Sequence, residues 1–247
     1  MALIEELDKQ GNFLFKHRSY FPLLFLLVTI AVFYFEVIQS NGYLASITYW
    51  YFALAIGLLG LIVRVFTVGF TPINTSGRNT SEGQVADELN QTGIYSVVRH
   101  PLYVGNYLMW LAVALLTANL WFIVSFTLVY WVYYERIMFA EEAFLRNKFG
   151  EKYLGWAANV PAFVPTLSMP TKPKYPFSVK KILKKEKNGV AALFGLFWLF
   201  DALKNYVASG QLNLQKNFWF WAFAISTVVY LILKFIKRST TILEDGR

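Results

Sequence analysis

Six apolar runs, at about 20–38, 45–70, 102–116, 120–134, 190–207 and 218–236, dominate the chain. Roughly 18 or more apolar residues in helical form cover the hydrocarbon core of a bilayer, and backbone in lipid must satisfy its own hydrogen bonds. Runs of this kind therefore become helices. The hydrophobic share of 56% against 15% charged residues is too apolar for a soluble domain of 247 residues. The expected fold class is all-α, a polytopic bundle of about six transmembrane helices. Asn41 and Gly42 make the first turn, and Thr117-Ala118-Asn119 is short enough to force the third and fourth spans into an antiparallel hairpin. Those two spans are short and call for tilt or local thinning. Three parts follow from this pattern: N-terminal spans over 1–70, a core with the helical hairpin over 71–170, and a basic linker with a last hairpin over 171–247.

Basic residues orient the bundle, because Lys and Arg near span ends stay cytoplasmic. Lys9, Lys16 and Arg18 precede the first span, seven lysines between Lys172 and Lys187 precede the fifth, and Lys234, Lys237 and Arg238 close the sixth. Loops after the first and third spans carry no basic residue, so both termini are expected in the cytoplasm. A multi-pass protein of a bacterial cytoplasmic membrane is the expected location. Glu5, Glu6 and Asp8 make the N-terminus unlike a cleavable signal. With no cysteine there is neither disulfide nor thiolate metal ligand, and no metal site is expected. The net charge of +8 gathers beside the spans rather than in an aromatic-interleaved groove. Anionic lipid headgroups at the basic linker, not nucleic acid, are the expected partner.

Chemistry concentrates where the spans end. The stretch 71–92 contains Pro72, Asn74, Thr75, Ser76, Gly77, Arg78, Asn79 and Thr80, which mark a polar loop ordered against a site, and 84–90 reads as a short interfacial helix. Pro101 suits the first turn of the third span, which puts His100 at its cap beside Arg99. A helix N-terminus attracts anions, and the rings of Tyr95 and Tyr103 suit a purine or a cation. Glu141 and Glu142 follow where the fourth span leaves the membrane, with Arg136 one turn earlier as a candidate for orienting an anionic substrate. Each residue alone has a plain structural reading as a cap, an aromatic belt or a solvated ion-pair face. The hairpin makes the two clusters neighbours. Asp201 and Lys204, three apart in the fifth span, read as a structural pair.

Taken together, Gly93-x-Tyr95, Arg99-His100-Pro101-x-Tyr103-x-Gly105, Glu141-Glu142, Phe149-Gly150-Glu151-x-Tyr153 and Val160-Pro161 resemble the isoprenylcysteine carboxyl methyltransferases and their phospholipid methyltransferase relatives. The resemblance covers roughly 87–165. It implies S-adenosylmethionine-dependent methyl transfer within a membrane, with the cofactor entering from the cytosol and a lipid or lipid-linked substrate entering between helices. It carries cofactor-binding roles onto Tyr95, His100, Pro101, Leu102, Tyr103 and Glu141, with Leu89 and Asn90 as further lining and Gly105 and Glu142 of the same motifs as further candidates. Arg78, Arg99 and Arg136 are read from their charge alone as candidates to bind an anionic headgroup. One departure bears on the acceptor. The carboxyl methyltransferases carry an arginine four residues before the glutamate, where this chain has Ile137, and Arg136 lies about 100° around the helix. O-methylation of an anionic headgroup, a phosphate such as the 1-phosphate of lipid A or a carboxylate, ranks first. Isoprenylcysteine carboxyl or ethanolamine N-methylation follows. Membrane sterol reductases show a similar motif with glutamate directly after the glycine, where Asn106 stands here. A transporter or assembly protein is the non-enzymatic alternative.

Overall fold

The computed structural model describes residues 2–72, 78–80, 83–211 and 214–244. Helix α1 (Leu3–His17) is amphipathic and lies along α6 (Leu120–Phe149) with Phe15 buried and Leu3, Ile4 and Phe13 exposed. The approach requires glycine at position 11, where a Cβ would stand 2.1 Å from the Arg136 carbonyl oxygen. Helices α2 (Phe21–Ile38) and α4 (Ile47–Phe70) are the first two apolar runs, and Asn41 caps the single turn of α3 (Gly42–Ala45) between them. Helix α5 (Pro101–Leu115) crosses α4 backbone to backbone. A Cβ at Gly60 would lie 2.5 Å from the Gly105 carbonyl oxygen, and one at Gly105 would lie 2.6 Å from Arg64 Cγ. Such crossings depend on small residues, since lipid supplies no hydrophobic drive between helices.

Helix α6 runs well past its apolar half, and Gly150 at φ +53 ends it before α7 (Glu151–Ala157). Helices α8 (Val179–Ser209) and α9 (Phe218–Ser239) close the bundle. Phe33, Trp50, Leu116, Phe197 and Phe200 form one core among α2, α4, α5 and α8. Phe25, Phe126, Tyr130, Tyr134 and Ile137 form a second among α2 and α6. Away from the start of α5, Glu36 accepts hydrogen bonds from Asn41 and Asn119, both at 2.7 Å, which ties two turns together. Asp201 accepts from Asn217, the cap of α9, at 2.6 Å and lies 3.6 Å from Lys204. That pair is structural.

The bundle is an all-α membrane fold, yet its spans are uneven. Among the described residues four helices, α2, α4, α8 and α9, are long and apolar enough to cross a membrane, against the six runs read from the sequence. With 15 residues, α5 is only about 22 Å long, and α6 joins its apolar half to a charged one. The stretch 84–90 is not a helix. Gly83–Val85 pairs antiparallel with Arg78–Thr80, and this ladder uses backbone groups that a helix would need. Of the polar loop, 73–77 lies outside the described residues.

Candidate functional site

The entry to α5 is fixed by a second strand of chain. Gly93, at φ +61, donates its N–H to the Thr171 carbonyl, Thr166 donates to Val97, Arg99 to Pro161 and His100 to Ala162, at 2.9 to 3.2 Å. The segment after α7 thereby zips along 93–100. Pro101 has no N–H, and Tyr103 donates to the His100 carbonyl. Of the first turn, only the Leu102 N–H is left for a ligand. The anion-attracting helix end read from the sequence thus narrows to one donor, because Pro101 has none, Tyr103 and Val104 bond the His100 carbonyl, and tertiary contacts take the Arg99 and His100 N–H groups just ahead of it.

The hairpin of α5 and α6 sets His100 between two carboxylates. Its Nε2 is 2.9 Å from Glu142 Oε1 and its Nδ1 is 3.6 Å from Glu141 Oε2. Tyr103 donates its hydroxyl to Glu141 at 2.8 Å, and Arg99 Nε lies 3.1 Å from Glu142. Burial disfavours a charged imidazole here, yet the two carboxylates outweigh it and push the His100 pKa up to about 9. Burial likewise works against the carboxylates, and contact with His100 holds both Glu141 and Glu142 below their ordinary range. Arg99, His100, Glu141 and Glu142 therefore form a neutral cluster of two cations and two anions. A group so engaged on both nitrogens positions its neighbours rather than shuttling protons. Burial, together with the nearby Glu141 charge, raises the Tyr95 hydroxyl far above the usual phenol range, so it is a neutral donor.

Beside this cluster opens a cavity of about 260 Å³, lined by Arg18, Arg64, Glu88, Leu89, Asn90, Tyr95, Arg99, His100, Pro101, Leu102, Tyr103, Asn106, Glu141, Leu145 and Trp156. A smaller cavity of about 140 Å³ adjoins it and shares Glu88, Leu89, Asn90 and Tyr95. The two together reach the ~300–1,000 Å³ of small-molecule pockets. Eight of the residues singled out as cofactor ligands, Leu89, Asn90, Tyr95, His100, Pro101, Leu102, Tyr103 and Glu141, share the larger wall with Arg99. Glu142 stands behind His100, and Gly105 faces α4 instead. Arg136 is apart: it pairs with Glu135 at 3.0 Å and lines a separate shallow recess with Gln10, Leu14 and Tyr133. Its neighbour Ile137 turns fully into the core.

Several wall residues were not singled out from the sequence. Arg64 had a signal, being the one charge inside the second apolar run. Arg18, Glu88 and Trp156 had none, because α1, the 86–92 stretch and α7 reach the cavity only through tertiary packing. Trp156 is held there by donating Nε1 to the Tyr95 carbonyl at 3.1 Å. Among the described residues no group of three or more His, Cys, Asp and Glu side chains is placed to hold a metal ion.

Comparison with known proteins places this geometry. Residues 46–152, which include Arg64, His100, Tyr103, Glu141 and Glu142, match the Phospholipid methyltransferase family. This core segment is similar to that family. The chain is 35% identical over 98 residues to the protein-S-isoprenylcysteine O-methyltransferase of Schizosaccharomyces pombe, covering 40% of this chain and 39% of that protein. It is 29% identical over 158 residues to protein-S-isoprenylcysteine O-methyltransferase B of Arabidopsis thaliana, covering 61% and 74% respectively. It is also 34% identical over 118 residues to the cobalt-zinc-cadmium resistance protein CzcN of Cupriavidus metallidurans, covering 47% and 50%. The chain thus spans from well under half to about three quarters of the length of these relatives. No solved structure matches it. Helices α8 and α9 lie wholly outside the family segment.

Proposed function

We propose that the protein is an S-adenosylmethionine-dependent methyltransferase that O-methylates the anionic headgroup of a lipid or lipid-linked acceptor. One observation carries this reading: a single cavity joins the Glu141–His100–Glu142 cluster to three aromatic faces and flanking arginines, at the ends of membrane helices. That donor set fits the cofactor's chemistry. Glu141 and Glu88 would accept from hydroxyl or ammonium groups, and Arg18 and Arg99 would donate to a carboxylate. Tyr95, Tyr103 and Trp156 offer π faces to a purine and to a sulfonium. Leu89, Asn90, His100, Pro101 and Leu102 complete the wall.

S-adenosylmethionine supplies, when bound, a methyl group already activated on its sulfonium sulfur. The chain's own task is then to align the acceptor and exclude water. His100, clamped between carboxylates, fixes the position of Glu141, and Tyr103 holds the same carboxylate from the other side. Acceptor choice follows from the titration state of the site. An ammonium acceptor requires a base, whereas Glu141 and Glu142 are held charged at lowered pKa and both His100 nitrogens are engaged. A carboxylate or phosphate oxygen needs no base, which favours O-methylation and agrees with relatives named as O-methyltransferases. Phosphate headgroups, lipid A 1-phosphate included, and prenylcysteine carboxylates belong to this class. The distribution of Lys and Arg supports a cavity that opens to the cytoplasmic face, where the cofactor is available.

Calorimetry of S-adenosylmethionine binding to the purified protein tests the reading directly. Micromolar binding that is lost in Glu141→Ala and weakened in His100→Ala is expected. A folded wild-type protein that does not bind the cofactor would overturn it.

A further inference from the structure

A second, apolar cavity of about 210 Å³ lies between α5 and α8. Met109, Trp110 and Val113 form one side and Ala192, Leu193 and Leu196 the other. Arg64 and Asn106 line both this cavity and the cofactor cavity, so two side chains form the partition between a charged chamber and an apolar one. Ala192, at its margin, is exposed on the span-forming part of α8, where the surrounding medium is lipid.

The partition is built around an arginine six residues inside the end of α4. Arg64 donates Nε to Glu186 Oε2 at 2.8 Å and Nη2 to Glu186 Oε1 at 2.9 Å, and Nη1 to Asn106 Oδ1. These bonds take one edge of the guanidinium and one further N–H. A guanidinium carries five N–H donors in a planar fork, so one N–H on each of Nη1 and Nη2 remains to donate to an oxyanion. Glu186 is almost fully buried, and it comes from α8, outside the family segment. Ionisable groups at membrane depth are expensive, and a paired arginine that walls two cavities does more than join helices.

We propose that this partition is the acceptor site: Arg64 receives the anionic headgroup of the methyl acceptor, and the α5–α8 cavity takes its hydrocarbon chain. Glu186 is a positioning residue that aims the guanidinium. Helix α8 thus sets acceptor selectivity while the family core holds the cofactor. The acceptor assignment rests on the methyltransferase reading; the binding of a lipid anion does not.

Equilibrium binding to the full chain in phosphatidylcholine nanodiscs tests it, with dodecyl phosphate and N-acetyl-S-farnesylcysteine as the phosphate and carboxylate probes. Ethyl phosphate, N-acetyl-S-methylcysteine and dodecanol supply the headgroup-only and chain-only controls. At least one long-chain anion is expected to bind tenfold or more tighter than its short counterpart and than dodecanol. Ala192→Trp, at an exposed position, should abolish the chain-length gain. Arg64→Gln combined with Glu186→Gln, which leaves no unpaired buried charge, should remove the preference for the anion over dodecanol. Glu186→Gln alone should tighten anion binding several-fold by removing a competing negative charge, an effect that a purely structural ion pair would not produce. Ala192→Trp, remote from the cofactor cavity wall, should bind S-adenosylmethionine within threefold of wild type. Equal binding of anions and dodecanol by wild type, or anion affinities unmoved by these substitutions, would overturn the proposal. Loss of cofactor binding by wild type with anion binding intact would refute the transfer reading alone.

Discussion

The His100 clamp makes a quantitative demand. Its imidazole keeps its proton to pH about 9 against an ordinary 6.5, which at about 1.36 kcal/mol per pH unit is roughly 3 kcal/mol of net preference for the charged form. The preference exists only because Glu141 and Glu142 outweigh burial of the ring. The chain has two histidines, so labelled imidazoles give two NMR signals, and His17→Gln identifies the one from His100. The His100 midpoint is expected near pH 9, and Glu142→Gln, which also leaves the Arg99 cation uncompensated, should lower it by about one pH unit or more. Linkage fixes the direction of the stability effect. A folded-state pKa above the unfolded value stabilises fully below pH 6.5, and the stabilisation is lost as pH rises towards 9. Across that window the wild type should lose up to roughly 3 kcal/mol that His100→Gln never had. A wild-type midpoint at or below 6.5, or equal pH dependence in the two proteins, would refute the clamp and with it the argument that no base is available for an amine.

Other substitutions probe packing and site separately. Tyr103→Phe removes one hydrogen bond to Glu141 and should weaken S-adenosylmethionine binding by about 1.5–3 kcal/mol, as expected for a bond to a charged group, measured by calorimetry. Gly105→Ala forces a Cβ to within 2.6 Å of Arg64 Cγ and 2.8 Å of the Gly60 carbonyl oxygen. Overpacking of this kind costs about 1–3 kcal/mol, visible as a lower melting temperature in detergent. Gly11→Ala meets the Arg136 carbonyl and should detach α1 from α6, which limited proteolysis in the first 20 residues would report. Arg136→Ala, at a residue off the cofactor cavity wall, should leave cofactor affinity within about twofold, and a tenfold loss would contradict that placement.

The sequence alone determined that the chain is a helical membrane bundle, because apolar runs in lipid permit little else. It also located most of the cavity wall, since the His100-Pro101 helix start and the Glu141-Glu142 pair are local features that a three-residue turn brings together. Local signals did not set the number of full spans. A run such as 120–134 looks like a crossing until α6 is seen to continue into its charged half. They also suggested a helix at 84–90, where pairing with 78–80 decided otherwise. Tertiary structure alone brought Arg18 from α1, Glu88 from an irregular segment and Trp156 from α7 to one cavity. It spent the Arg99 and His100 N–H groups on the 161–162 carbonyls, and it gave the two adjacent glutamates different positions, Glu141 on the cavity and Glu142 behind the imidazole. Most telling is Arg64, which sequence marks only as a charge out of place. Its partner Glu186 lies 122 residues away, and no periodicity encodes a contact made by packing α8 across α4.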